Sequence, residues 1–248
     1  MSALRFVSYG LTHVGLVRRR NEDAFLDRPE VGTGCGLWAV ADGMGGHDQG
    51  DYASARIVAA LGAIRRQADM EDFEDEVKRQ VARIDIELRE RAAAIGPQVA
   101  IASTVVTFMV YDDAFSCVWA GDSRLYHLRD GEFRQVTTDH SRVRELIDAG
   151  QLPADAAAFH PEAHVVTQAI GGARFGFETR VGVVRPGDRF LLCSDGLSNT
   201  LSDAEIAGEI AASEPRPAAE RLIDLVLERG AVDNVTVVIV AVEAAGQS

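Results

Sequence analysis

"STVVTFMVYDDAFSCVWAGDSRLYHLRDGEFRQVT", residues 103–137, is the stretch on which the fold turns. It divides into four runs rich in β-branched and aromatic residues, at 103–111, 114–121, 124–131 and 133–137. The joints, among them Asp112-Asp113 and Asp130-Gly131, are tight-turn pairs too short to hold a helix. The spacing predicts an antiparallel meander. On its N-terminal side, "LRFVSYGLT" (4–12) alternates as a strand does, and "GLWAVAD" (36–42) is an apolar, strand-sized run closed by a carboxylate. The period then changes. Ala53, Ile57, Ala60, Leu61 and Ile64 recur at three and four, which predicts a helix over 50–66. Phe73, Val77, Val81, Ile84 and Leu88 make the stripe of a second helix over 71–94, with acidic residues in its first turn and Gly96-Pro97 beyond its end. On the C-terminal side a helix is predicted over 141–150, then an irregular surface excursion over 151–177. Strands return at "ETRVGVV" and "DRFLLCSD", helices follow over 202–212 and 216–230, and "NVTVVIVAV" (234–242) is the last strand.

The chain of 248 residues is 47% hydrophobic, enough for a sizeable core, and with no linker, repeat or low-complexity segment it reads as one domain, 1–248. Its net charge of −13 disfavours nucleic acid and anionic membrane as partners. Acidic excess also suits convergence of Asp residues on a divalent cation, and composition does not separate the two readings. Cys35, Cys117 and Cys193 have neither zinc nor disulfide spacing and read as buried free thiols of a reducing compartment. "MSALRFVSYG" lacks the pattern of a secretion signal, and no apolar run approaches the roughly 20 residues of a membrane span. A cytoplasmic protein is expected.

Carboxylates recur where apolar runs end. Asp42 follows "GLWAVA", Asp122 follows "CVWAG", Asp195 follows "RFLLCS", Asp233 precedes the last strand, and Glu22-Asp23 precedes a short one. A lone Asp at a strand end is ordinarily a turn residue. Several together, held close, would repel and raise each other's pKa unless a hard cation such as Mg²⁺ or Mn²⁺ compensated them. Spacing alone leaves both readings open, a set of turns or a dinuclear hydrolase.

The motifs are more specific. "GLVRRRNED" (15–23), "VADGMGGH" (40–47), "GDYAS" (50–54), "STVV" (103–106), "AGDSRLYHLRDGEFRQVTTDHS" (120–141), "LLCSDGLS" (191–198) and "VDNVTVV" (232–238) occur in this order along the whole chain. The sequence resembles the metal-dependent protein serine/threonine phosphatases of the PPM or PP2C family, in the compact bacterial form. That resemblance implies an α+β fold of four layers, α-β-β-α. A central antiparallel β-sandwich is flanked by helices, with metals at one end and a flap subdomain over 141–186.

Residue by residue, Asp42 matches the carboxylate that bridges two metals, and the carbonyl of Gly43 matches a ligand of one. Asp195 and Asp233 match the side chains on the other, and Glu22 and Asp23 the acidic pair that completes the site, partly through water. Asp122 matches the carboxylate on a third, weaker metal of bacterial members; the alternative is a turn Asp holding its own loop. The implied cofactors are two core Mn²⁺ or Mg²⁺ ions, with a third at Asp122. Arg18, four residues before Glu22, matches the arginine that grips the substrate phosphate, a task suited to a forked guanidinium. His47 is similar in position to the histidine proposed as general acid for the leaving alkoxide. His140 also matches the family and reads as structural. His13, His127, His160 and His164 are too scattered for a ligand set, although His164 could approach the site from the excursion.

The mechanism implied is in-line attack on a phosphoseryl or phosphothreonyl group by a metal-bridging hydroxide, without a phosphoenzyme. Two departures stand out. Gln168 stands where many members carry an arginine, so substrate preference and flap motion are the points least carried over; Gly50-Asp51 replaces the commoner Gly-Glu, a charge-conserving change that implies no loss of activity. The implied partners are phosphorylated proteins, targets of a bacterial Ser/Thr kinase. "IASTVVTFMVYDD" and "CVWAGDSRLYHLRDG" are similar to members that act in type VI secretion control. A monomer is expected. The alternatives from other classes are a regulatory phosphoprotein binder, a hydrolase of small phosphate esters, and a purely structural domain.

Overall fold

The computed structural model describes residues 4–45 and 49–245. Two antiparallel sheets face each other. The first has the order β1 (Leu4–His13), β11 (Val235–Ala244), β10 (Arg189–Cys193), β7 (Arg124–Arg129), β8 (Glu132–Gln135). The second runs β2 (Asp23–Gly32), β3 (Cys35–Gly45), β5 (Val105–Tyr111), β6 (Ala114–Ala120), β9 (Glu178–Val183), and β4 (Ile101–Ser103) pairs with the far end of β3.

Period-two geometry explains why the central strands are apolar at nearly every position. In β3, Leu37, Ala39 and Ala41 face α1 (Gly50–Gly62) and α2 (Met70–Ile95), whereas Trp38 and Val40 face the opposite sheet. In β11, Val235, Val237 and Ile239 face α4 (Asp195–Ser198), α5 (Asp203–Ala212) and α6 (Pro215–Glu228), whereas Val238, Val240 and Val242 face inward. Strands covered on both sides have no polar face to show. The expected four layers are therefore present. Between the sheets Phe108 stacks on Trp38 at 5.4 Å and on Phe190 at 4.3 Å.

Four expectations need correction. The stretch 103–137 is not one meander. β5–β6 and β7–β8 are hairpins of different sheets, and the chain crosses between them at 121–123. The crossing lets Trp119 and Leu125 enter the same inter-sheet core, and Gly121 turns it at φ 111°. Asp42 does not end its strand. β3 continues through Gly43–Gly45, paired to β4. The helix expected over 50–66 stops at Gly62, where Arg28 takes the carbonyls of Gly62 and Ile64, each at 2.8 Å. Finally, α4 was not expected, since the sequence shows Asp195 only as a carboxylate closing an apolar run.

After α3 (Arg142–Asp148), the excursion has little regular structure beyond a 3₁₀ turn at Ala154–Phe159. Its return leg is nonetheless anchored. Ile170 bridges to Ser103, Val166 to Ser141, and the Gly171 N–H donates to Asp85 of α2 at 2.7 Å. His140 is structural as expected: its Nδ1 accepts from the Gly121 N–H at 3.1 Å, and Ser141 caps α3. All three cysteines are free and buried.

Candidate metal centre

The antiparallel arrangement brings the ends of β3, β6 and β10 and the starts of β2, β7 and β11 to one edge of the sandwich. A cavity of about 620 Å³ opens there. Arg18, Glu22, Asp42, Gly43, Asp122, Asp195 and Asp233 all line it. Asp23 lies directly behind, opposite Asp42 in the β2–β3 register. His47 lies outside the described residues.

Each acidic group is held through its main chain or its immediate neighbours. The Asp42 N–H donates to Thr104 Oγ1 at 3.1 Å, and its carbonyl accepts from Thr104 N and Ser103 Oγ, both at 2.9 Å. Thr104 Oγ1 also bonds Ser123 Oγ at 2.7 Å, tying the Asp42 strand to the crossing that carries Asp122. Asp195 opens α4 and accepts from Asn199 Nδ2 at 3.1 Å. Asn234 clamps the other side. Its Oδ1 accepts from Glu22 N at 2.8 Å, and its Nδ2 donates to the carbonyls of Val14 and Arg20 at 2.8 and 2.9 Å. Gly43 is needed for close approach: a Cβ there would lie 2.0 Å from the Gly50 carbonyl oxygen and 2.6 Å from that of Glu22.

Asp23 is the most enclosed of these groups. Its Oδ2 accepts from Ser194 Oγ at 2.8 Å and Thr236 Oγ1 at 2.7 Å, while its Oδ1 is buried with no hydrogen-bond partner. Ser194, Thr236, Thr104 and Asn234 were not singled out from the sequence as supports. Three of them adjoin the motif carboxylates Asp195 and Asp233 or follow shortly after, and that adjacency was the available signal. His164 does reach the cavity wall from the excursion.

The electrostatics are those of an uncompensated acidic cluster. Burial, then the charges of Asp23 and Asp195, pushes Asp42 well above the usual carboxylate range. Burial raises Asp23 to about 7 against the opposing pull of Thr236 and Ser194, with Asp195 and Asp233 adding to the rise. Asp122 is raised to about 7 by burial and by Asp195 and Asp139. Asp195 is raised by burial and by Asp233. Arg18 answers part of this charge: its Nη2 donates to Asp233 Oδ2 at 2.7 Å.

Among the described residues, no group of three or more His, Cys, Asp or Glu side chains is placed so that it could hold a metal ion. The carboxylates lining the cavity are nonetheless the hard oxygen donors that suit Mg²⁺, which keeps several waters and takes few carboxylates directly. An all-oxygen donor set, a buried carboxylate oxygen without a partner and mutually raised pKa values fit such an ion.

The family profile described as protein phosphatase 2C matches residues 17–230. The chain belongs to this family. It is 37% identical over 232 residues to the serine/threonine protein phosphatase PstP of Mycobacterium tuberculosis, a match covering 91% of this chain and 43% of that protein. It thus spans less than half the length of that relative. A solved structure of PppA, described as a key regulatory component of T6SS in Pseudomonas aeruginosa, superposes with a TM-score of 0.88 at 40% identity, covering 98% of this chain and 100% of the other. The catalytic domain of PstP in complex with two manganese ions superposes with a TM-score of 0.81 at 33% identity, covering 97% and 99%. Among the described residues no helix is long and apolar enough to cross a membrane.

Proposed function

We propose that the chain is a metal-dependent protein serine/threonine phosphatase with a single catalytic domain over 1–248, in which the flap segment, 141–186, returns to the second sheet at β9. The observation that carries this reading is the meeting of Asp42, Asp122, Asp195 and Asp233 with Glu22, Gly43 and Arg18 around one cavity. We assign Asp42, the Gly43 carbonyl, Asp195 and Asp233 as the groups that would hold two Mn²⁺ or Mg²⁺ ions. Glu22 and Asp23 would complete the shell, and Asp122 would hold a third ion. The PstP catalytic domain in complex with two manganese ions supports a centre of two ions. When bound, such ions supply Lewis-acid polarisation of a phosphate ester and lower the pKa of an attacking water.

The residues of the chain then have separate tasks. Arg18 forks onto phosphate oxygens, giving up Asp233 as a phosphate dianion takes that carboxylate's place at the guanidinium. Thr104, Ser123 and Asn234 hold the carboxylates in place, which spares reorganisation during reaction. His47 protonates the departing seryl or threonyl oxygen, a contribution of roughly 10²–10⁴-fold for general acid catalysis. The buried thiols take no part: burial raises Cys117 far above the usual thiol range and Cys193 to about 12.

The substrates are phosphorylated proteins made by a Ser/Thr kinase in the cytoplasm. Likeness to PppA supports a place in type VI secretion control. The mechanism is tested with Asp42→Asn on a phosphothreonine peptide in saturating Mn²⁺. The expected result is a loss of kcat of at least about 10²-fold, comparable to removal of a single electrostatic stabiliser. A rate near wild type would sink the mechanism.

A further inference from the structure

An apolar surface adjoins the cavity on the side of Arg18, and the phosphate chemistry has no use for it. Leu16, Val17 and Val232 are 63%, 66% and 70% exposed. They stand on two loops, 14–20 and 230–234, that are fastened to each other. Leu16 N donates to the Ala231 carbonyl at 2.8 Å, and Asn234 Nδ2 reaches Val14 and Arg20. Gly15, at φ 81°, packs so closely that a Cβ would lie 2.3 Å from the Asp233 carbonyl oxygen. The three side chains are therefore displayed by a fixed frame, and a ligand that covers them need order little of it.

Their position relative to the reacting group is specific. Val17 directly precedes Arg18, whose guanidinium bonds Asp233 at 2.7 Å, and Val232 directly precedes Asp233 and lines the cavity wall. A phosphorylated residue seated between Arg18 and the carboxylates has neighbours whose Cα atoms lie 3.8 Å away per step. On the Arg18 side of the cavity, those neighbours come within reach of this rim. Bulk charge does not favour a phosphorylated, hence anionic, segment on a chain of net charge −13. Apolar contact is indifferent to that sign.

We propose that Leu16, Val17 and Val232 form a substrate-docking rim that accepts an aliphatic side chain one or two residues from the phosphorylated serine or threonine. The proposal rests on the phosphatase reading above and adds a sequence preference to it.

The test uses phosphothreonine peptides that differ only in carrying Leu or Ser at each of the two positions on either side, with p-nitrophenyl phosphate as a substrate too small to reach the rim. Wild type should favour Leu at one of these positions by about five- to tenfold in kcat/KM, the scale of one partly buried aliphatic contact. Leu16→Ser/Val17→Ser should lose that preference mainly through KM and keep the wild-type rate on p-nitrophenyl phosphate and the wild-type Tm. Val232→Ser, on the other loop, should lose it independently. Equal kcat/KM for the Leu and Ser peptides in wild type, or preference retained in both variants, overturns the docking rim while leaving the phosphatase reading intact. Failure of wild type on every peptide and on p-nitrophenyl phosphate in Mn²⁺ overturns the phosphatase reading, and the rim with it.

Discussion

Asp23 is held by two hydroxyls and still keeps one oxygen unmet. Ser194 and Thr236 both spend their protons on Oδ2, which steadies the charged form and leaves Oδ1 turned to no protein donor. Thr236 is itself tied to Thr12 at 2.7 Å, and Thr12 to Asn21 at 2.8 Å, so the support reaches back to the loop that carries Glu22. Thr236→Val preserves shape and removes this donor. The expected outcome is a Mn²⁺ affinity weaker by at least about tenfold, as for other outer supports of ligating groups, measured by titration calorimetry. Affinity unchanged within twofold would mean that Asp23 does not act through the ions. The role of the hydroxyls was not legible in the sequence. A Ser or Thr inside an apolar strand looks like an ordinary β-branched or small residue, and only its partner across the sandwich gives it meaning.

At the scale of elements, the β3–α1 contact sets the geometry of the cavity floor. Gly43 lets β3 pass against the start of α1 and the Glu22 carbonyl, where any side chain collides with backbone rather than with a yielding side chain. Gly43→Ala should cost about 1–3 kcal/mol of stability, as overpacking does, and weaken Mn²⁺ binding as well. Urea midpoints and metal titration check the two separately. Most elements were legible, because alternation and three-four spacing report directly which side of a residue is buried. Their partners were not. The pattern in 114–121 and 124–131 says that both runs are strands, but period two is the same whether the second strand joins its neighbour or crosses to the other sheet. α4 escaped because four residues make little more than one turn and show no periodicity. The carboxylates at the ends of apolar runs were visible one by one. Their convergence came from resemblance, since spacing along the chain does not report which strand ends share an edge.

For the whole molecule, the acidic edge makes stability depend on pH and on metal together. Asp23 and Asp122 have folded pKa values of about 7 against an ordinary 3.8, and Asp42 and Asp195 are raised in the same sense. The metal-free folded state therefore binds more protons than the unfolded chain across that window, so its stability falls as pH rises from about 4 to 7. A bound cation removes the penalty. The Tm of metal-free protein should thus be lower at pH 8 than at pH 5, and Mn²⁺ should raise Tm more at pH 8. A metal-free Tm that climbs over this range would contradict the raised values. The pairing of β1 with β11 has a further consequence, for timing. Leu4 lies opposite Ala244, and among the described residues β1 has only β11 as a neighbour in its sheet. On a ribosome, β1 must wait for β11 before it can join a sheet, and Asp233 arrives just ahead of β11. Contacts of such sequence separation form late and slowly. A nascent or truncated chain lacking β11 has no completed acidic edge, so the proposed metal centre cannot assemble before the sandwich is whole.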